Sequence, residues 1–365
     1  MKLLKRMVAV ALIMLMVFSF AGCHKKDEIA VTIGGIEFTS AYYMNALINA
    51  DSEAKSKVEE GLSEDELMDE DFDYYKQKID GKKYADWVKD RAIDELKNVA
   101  AYRLLCKENE IVLTEDAKNS VDQNANIYWS YYGYGTLLEP NGVGYETFKK
   151  VMEDRYYSDL YFDHLYAEGG KEEIPQDEMN KVYGETFILA DVLQFDYTKE
   201  DGSKMSDKEI EDVKNEVNAY ANDIRSGKMT FEEVYDEVTK EDESQTTETD
   251  NNEELKPVYP HATVLGDKET VYESEDFDTV KKMAVGEVKV IDNSTYEAAF
   301  LYVKRDIFAD EYHMNNIEST VRHHIKDDDF QKLIDEYKEK LEIKISNYAT
   351  KRFKIEKIVY PQTAY

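Results

Sequence analysis

Cys23 is one of only two cysteines in a chain of 365 residues, and it stands where a nucleophile could be used. It follows Phe20-Ala21-Gly22 at the end of the uncharged apolar run Met7 to Phe20, with Lys2, Lys5 and Arg6 ahead of that run. A thiolate is the strongest nucleophile among ordinary side chains, so this position suits covalent acylation. Other reactive groups are sparser. Of six histidines, His24 adjoins Cys23, His261 follows Pro260, and His313, His323 and His324 share one helical stretch. No HExxH or paired His–carboxylate spacing occurs, so no metal site is expected. Asp69-x-Asp71-x-Asp73 opens like a calcium loop. Tyr74, however, replaces the glycine of its sharp turn and Asp80 replaces its closing glutamate, which leaves a solvated acidic helix start. Tyr128, Trp129, Tyr131, Tyr132 and Tyr134 form an aromatic run that suits stacking against a polypeptide client or a carbohydrate, or packing beneath a loop. GxSxG, Walker A and Rossmann glycine patterns are absent, which removes support for a nucleotide enzyme or serine hydrolase and leaves no expected cofactor.

The elements that must position these residues begin with Ile29 to Thr39, two short strands around Gly34-Gly35. Thr39 or Ser40 caps a helix carrying Tyr42, Tyr43, Ala46 and Leu47. Helical periodicity returns from Lys82 to Asn109, after Thr114, and from Tyr145 to Tyr166, where Gly169-Gly170 ends it. After Ile174-Pro175 the pattern changes. A helix from Gln176 runs into the β-rich Phe187 to Phe195. Helices follow through Ile224 and from Thr230. The acidic stretch 239–256 has no apolar periodicity and is expected to be disordered. Strands are expected from Val288 and over Ala298 to Val303, a helix over Glu311 to Leu341, and an edge strand over Phe353 to Val359, where residue types alternate.

Composition narrows the class. Lys and Arg total 46 against 78 Asp and Glu, a net charge of −32. Such a surface repels nucleic acid, and no basic stripe offers a footprint. The 28 tyrosines supply large amphipathic bodies for the core. With Cys23 set aside, Cys106 is alone on a helical stretch and reads as a small buried hydrophobe, so no disulfide framework is possible.

The basic start, apolar run and Ala-Gly-Cys break form a secretory signal too short to span a bilayer comfortably. It resembles the lipobox of bacterial lipoproteins. That resemblance implies removal of residues 1–22, lipidation of Cys23, a tether over 23–28, and attachment to the extracytoplasmic face of the membrane, with more than one acyl chain giving stable anchoring.

The order of elements behind it resembles the SurA/PrsA type of extracytoplasmic foldase. The hairpin leading into a helix looks like the family's start. Ile174-Pro175-Gln176 through Tyr183 looks like the short helix before a parvulin domain. Gly227-Lys228-Met229-Thr230-Phe231-Glu232-Glu233-Val234, the turn Val285-Gly286-Glu287-Val288 and the strand Phe300 to Arg305 are similar to later parvulin segments. The resemblance implies an α+β fold. A helical chaperone domain would be built from 29–172 and 309–365, with a parvulin-like antiparallel sheet and covering helices inserted at 175–308. It also places the family's catalytic histidines. The first falls on Asp191 or Val192, depending on register, and the second near Ala299 to Leu301. Asp267, in Leu265-Gly266-Asp267, is the sole candidate for the polar partner. The implied function is a lipid-anchored chaperone for unfolded or newly exported polypeptides, with a degenerate isomerase site. One alternative is a working peptidyl-prolyl isomerase using Asp191 and Asp267. Another is a substrate-binding lipoprotein of a transporter, whose repeated strand–helix lobes the long helical blocks do not match.

Overall fold

The computed structural model describes residues 28–67, 72–199, 201–239, 255–266 and 276–361. Cys23, Asp267, Asp69, Asp71 and nearly all of the acidic stretch lie outside them. The fold is α+β, and the chain divides into two compact units. One runs to Leu165 and resumes at Asp329; the other is Tyr166–Asp328.

The first unit is mainly helical. Strands β1 (Ile29–Ile33) and β2 (Ile36–Thr39) pair antiparallel around Gly34 and Gly35. Gly34 has φ +55°, and a Cβ there would lie 2.7 Å from Leu104 Cδ1, so only glycine fits. The Thr39 hydroxyl accepts the Tyr42 N–H at 3.2 Å and caps helix α1 (Ser40–Glu59). Next come a one-turn helix, α2 (Glu64–Leu67), and a two-stranded ribbon, β3 (Lys78–Ile79) and β4 (Lys82–Lys83). They lead to α3 (Tyr84–Glu108), α4 (Glu115–Ser130), α5 (Tyr134–Leu138) and α6 (Tyr145–Tyr166). Alanines 46, 50 and 54 on α1 and 92 and 100 on α3 are buried beside Leu47, Trp87, Val88 and Leu96 in one apolar core. Cys106 is buried as expected, and burial pushes its thiol up to about 11, away from reactivity.

The C-terminal segment departs from expectation. Strand β9 (Ile343–Ile345) pairs antiparallel with β1 and completes a β2-β1-β9 sheet that the sequence pattern did not disclose. The edge strand expected over Phe353 to Val359 does not form. Ile355–Lys357 is a 3₁₀ turn, and Phe353, Ile355 and Ile358 enter the apolar core instead. The backbone has found local and side-chain partners. Ile358 N–H bonds Ile355 O at 3.1 Å. Asn141 takes the Val359 N–H at 2.9 Å and donates to the Val359 carbonyl at 2.8 Å. Its side-chain amide does the work of a neighbouring strand.

The second unit holds a four-stranded antiparallel sheet in the order β6-β5-β8-β7. These strands are β5 (Ile188–Asp196), β6 (Ala262–Leu265), β7 (Val288–Asn293) and β8 (Ala298–Arg305). Helix α7 (Gln176–Thr186) precedes the sheet. Helix α8 (Asp207–Arg225) starts with a capping box between Ser206 and Glu209. Strand alternation divides the sheet's residues between two faces. Leu193, Leu301 and Val303 pack with Val217 and Ala221 of α8 and with Phe231 and Val234 of α9 (Phe231–Thr239). Ile188, Ala190, Phe300 and Tyr302 pack with Phe277 and Val280 of α10 (Phe277–Lys281). Helix α11 (Glu311–Lys338) starts in this unit, and its residues from Asp329 belong to the first. No helix among the described residues is long and apolar enough to cross a membrane.

Candidate functional site

Asp191 is a carboxylate in the middle of the apolar run Ile188 to Leu193, on a strand paired along both edges. It faces Ala262 on β6 and Val303 on β8, and it is 1 % exposed. Burying a lone carboxylate so deeply is costly unless a counter-charge meets it. Arg305, two residues beyond Val303 on β8, supplies one: its Nε and Nη2 both donate to Asp191 Oδ2. A diagonal pair on adjacent strands lies within reach of a long side chain. Burial pushes the Asp191 carboxyl above the usual range, and the Arg305 guanidinium offsets part of that rise.

The second oxygen, Oδ1, is buried without a hydrogen-bond partner among the described residues. Arg305 also sits 3.7 Å from Glu232 on α9, and its guanidinium carbon lies 4.7 Å from the centroid of the Tyr259 ring. His261 stacks on Tyr235 at 3.8 Å between centroids. It contributes a further pull on the Asp191 charge. Arg305 and Glu232 reach the wall of a cavity of about 790 Å³, with Met229, Phe231 and Val303 as its apolar surface.

Asp191 lies on the same side of the sheet as Leu193 and Val303, and Val192 packs with the opposite cluster. Ala299 and Leu301, in the region matched to the second histidine, are fully buried core residues. The arrangement can hold a charge and orient a polar group beside an apolar cavity. Asp267 cannot be placed, since it lies outside the described residues. Sequence reasoning missed Arg305, Glu232, Tyr259 and His261 as members of this cluster. The available signal was Asp191 itself, because a carboxylate inside a β-run demands a cation from a neighbouring strand.

The aromatic run of the helical unit separates into two groups. Tyr128, Tyr131, Tyr132 and Tyr134 are exposed, Tyr131 by 83 % and Tyr132 by 61 %. They touch one another: Tyr128 and Tyr131 each lie 5.2 Å from Tyr132, and Tyr134 lies 5.7 Å from Tyr128. Trp129 does not join them. Its ring packs at 5.5 Å from both Tyr145 and Phe148, and a Cβ at Gly135 would come within 2.9 Å of it. On a helix it points away from its sequence neighbours, so the expected surface platform holds the tyrosines without the tryptophan. His313 lies between the Asp310 carboxylate at 2.9 Å and the Ala262 carbonyl at 3.0 Å. Among the described residues no His, Cys, Asp and Glu group is placed to hold a metal ion.

No protein-family model and no curated protein matches the chain. Solved structures similar to it include the foldase protein PrsA from Lactococcus lactis, with 12% identity, 88% of this chain and 96% of that chain covered, and a TM-score of 0.38. The foldase protein PrsA from Streptococcus pneumoniae has 13% identity, covering 68% of this chain and 84% of its own, with a TM-score of 0.36. A structure reported with the SurA-like chaperones PEB4 and Cj1289 of Campylobacter jejuni has 11% identity, covering 87% and 99%, with a TM-score of 0.27. These three structures are described as PrsA foldases and as SurA-like chaperones.

Proposed function

We propose that the protein is a chaperone that holds unfolded or newly exported polypeptides, anchored by a lipid on Cys23 at the extracytoplasmic face of the membrane. The observation that carries the reading is the exposed cluster Tyr128, Tyr131, Tyr132 and Tyr134. Mutually packed rings in contact with water give an apolar surface with polar rims, which can take many unfolded segments without demanding one sequence. The strongly acidic composition keeps such a surface soluble and away from anionic lipid headgroups. In this reading the sheet unit is a degenerate isomerase domain. The place matched to the first histidine of a parvulin falls on Asp191, engaged by Arg305, or on Val192, and that of the second falls near the apolar core residues Ala299 to Leu301.

The test is suppression of aggregation of a reduced, unfolded client by the protein without residues 1–23. Suppression near stoichiometric ratio is expected, falling several-fold in Tyr131→Ser/Tyr132→Ser. Absence of suppression by the unmodified protein would overturn the reading.

One observation favours a second reading, a working peptidyl-prolyl isomerase. The cavity beside Arg305 has Met229, Phe231 and Val303 among its lining residues, and Arg305 engages the buried Asp191 carboxylate, whose Oδ1 has no hydrogen-bond partner among the described residues. Protease-coupled turnover of a proline peptide, lost in Asp191→Ala, would establish it.

A further inference from the structure

In the helical unit, α3 and α6 turn matching stripes toward a second cavity, of about 320 Å³. Glu95, Asn98 and Tyr102 lie at i, i+3 and i+7 on α3, and Val151, Asp154 and Ser158 take the same steps on α6, with Arg155 beside Asp154. Asn49 of α1 closes one side. The volume lies in the range of small-ligand sites.

The polar atoms lining it are unevenly satisfied. Asp154 is fully engaged, by Arg103 and by the Tyr42 hydroxyl at 2.6 Å. Glu95 Oε1 accepts from Asn49 Nδ2 at 3.1 Å. Asn98 Oδ1 is buried and has no partner among the described residues. Buried acceptors are nearly always paired, so this atom together with Glu95 marks an unmet demand for a donor. Val99, Val151 and the Tyr102 ring give the space apolar walls. A group that satisfies all of these carries several N–H donors, a positive charge and an aliphatic stem.

We propose that this cavity binds a primary ammonium or guanidinium group on an alkyl stem, recognised by Glu95 and Asn98. The source is a small free amine or a lysine or arginine side chain of a polypeptide. The charges around Glu95 fit this role. Burial pushes its carboxyl up to about 7, while the Asn49 hydrogen bond, Arg91 and Arg155 pull the other way and Glu53 raises it. Arg91 is held by Glu53 at 2.7 Å and by Asp94 at 3.4 Å. Arg155 is exposed at the rim and is the internal competitor for the carboxylate. A bound cation completes the ionisation that burial opposes, so affinity rises with pH.

Calorimetry on the protein without residues 1–23 tests this, with n-butylguanidinium as one probe and an acetylated, amidated Gly-Ser-Arg-Ser-Gly peptide as the other. Affinity is expected to rise about tenfold from pH 6 to pH 8 as Glu95 ionises. Glu95→Gln keeps the acceptor for Asn49 and should abolish both the binding and its pH dependence. Asn98→Leu is the second variant and should weaken binding at every pH. Arg155→Ala should tighten it. Equal affinities for the two probes would assign recognition to the end group alone, and tighter peptide binding would assign the site to a polypeptide side chain. No binding of either probe at millimolar concentration, or binding indifferent to pH and to Glu95→Gln, overturns the proposal. Neither result bears on client holding by the tyrosine cluster, which the aggregation assay reads separately.

Discussion

Asp191 in the sheet unit is fully buried and Glu95 in the helical unit half-buried, burial opposes the charge of both carboxyl groups, and the two units treat them differently. The sheet brings Arg305 onto Asp191 from an adjacent strand, so the charge is matched inside the protein. The helices give Glu95 an amide donor from Asn49 and leave its cations at a distance. A matched pair closes a site on itself. An unmatched acid in a cavity leaves the matching to something that binds. The difference follows from geometry: neighbouring strands lie about 5 Å apart and deliver a long side chain directly, whereas helix axes stand about 8–10 Å apart and leave room between them.

The largest effect that would break this contrast is expected at Arg305. Arg305→Ala strands the Asp191 carboxylate, and urea denaturation should report a loss of about 3–5 kcal/mol. Adding Asp191→Leu should recover a large part of it, since removing the buried carboxylate removes its desolvation cost. If the single variant is nearly neutral, Asp191 is already protonated and the pair is not what holds it.

Glu95 should show the opposite dependence on surroundings. Its folded value of about 7 lies above the unfolded value of 4.5, so the folded state binds the proton more tightly. The associated stability is therefore present below the unfolded value and is lost as pH rises through the folded one. Between pH 5 and pH 8 this amounts to about 2–3 kcal/mol, and Glu95→Gln should remove that slope. Comparison of unfolding free energies of both proteins across that range checks it.

The smallest effect sharpens the comparison. Asn49→Ala removes the hydrogen bond that favours the ionised form of Glu95, at a cost of about 0.5–1 kcal/mol near pH 8. The pH of the Glu95 transition should move upward, which a titration followed by NMR of the side-chain carboxyl would register.

Much of the architecture was legible from the chain. The Gly34-Gly35 hairpin, the Thr39 cap, the helix over Tyr145–Tyr166 and the strands around Asp191 and Phe300 all express local rules. These are left-handed turns that suit glycine, side-chain oxygens that accept orphan amides, and apolar periods of 3.6 or 2. The expected edge strand over Phe353 to Val359 shows where those rules stop. Its alternation was real, yet the amide of Asn141, far away in sequence, took the backbone groups that a neighbouring strand would have taken. The aromatic run shows the same limit from the other side. Trp129 and its tyrosine neighbours are alike in type, and only the approach of Tyr145 and Gly135 separates the half-buried ring from the exposed ones.

The candidate sites divide on the same line. Asp191 was reached through the resemblance of its strand to the first parvulin strand. Its partner could not be, because strand order and register decide which cation stands diagonally opposite. Glu95 and Asn98 lay in plain view on a helix, among many acidic and polar residues of a chain with a net charge of −32. Nothing local separates them from a solvated face until α6 presents Asp154, Arg155 and Ser158 across the gap. By itself the sequence determined the Gly34-Gly35 hairpin, the Thr39 cap and most of the long helices, because those depend on hydrogen bonds and sterics within a few residues. The tertiary structure alone decided which charges are paired, which acceptors are orphaned and which rings meet water, because burial and partner choice depend on groups brought together from distant parts of the chain.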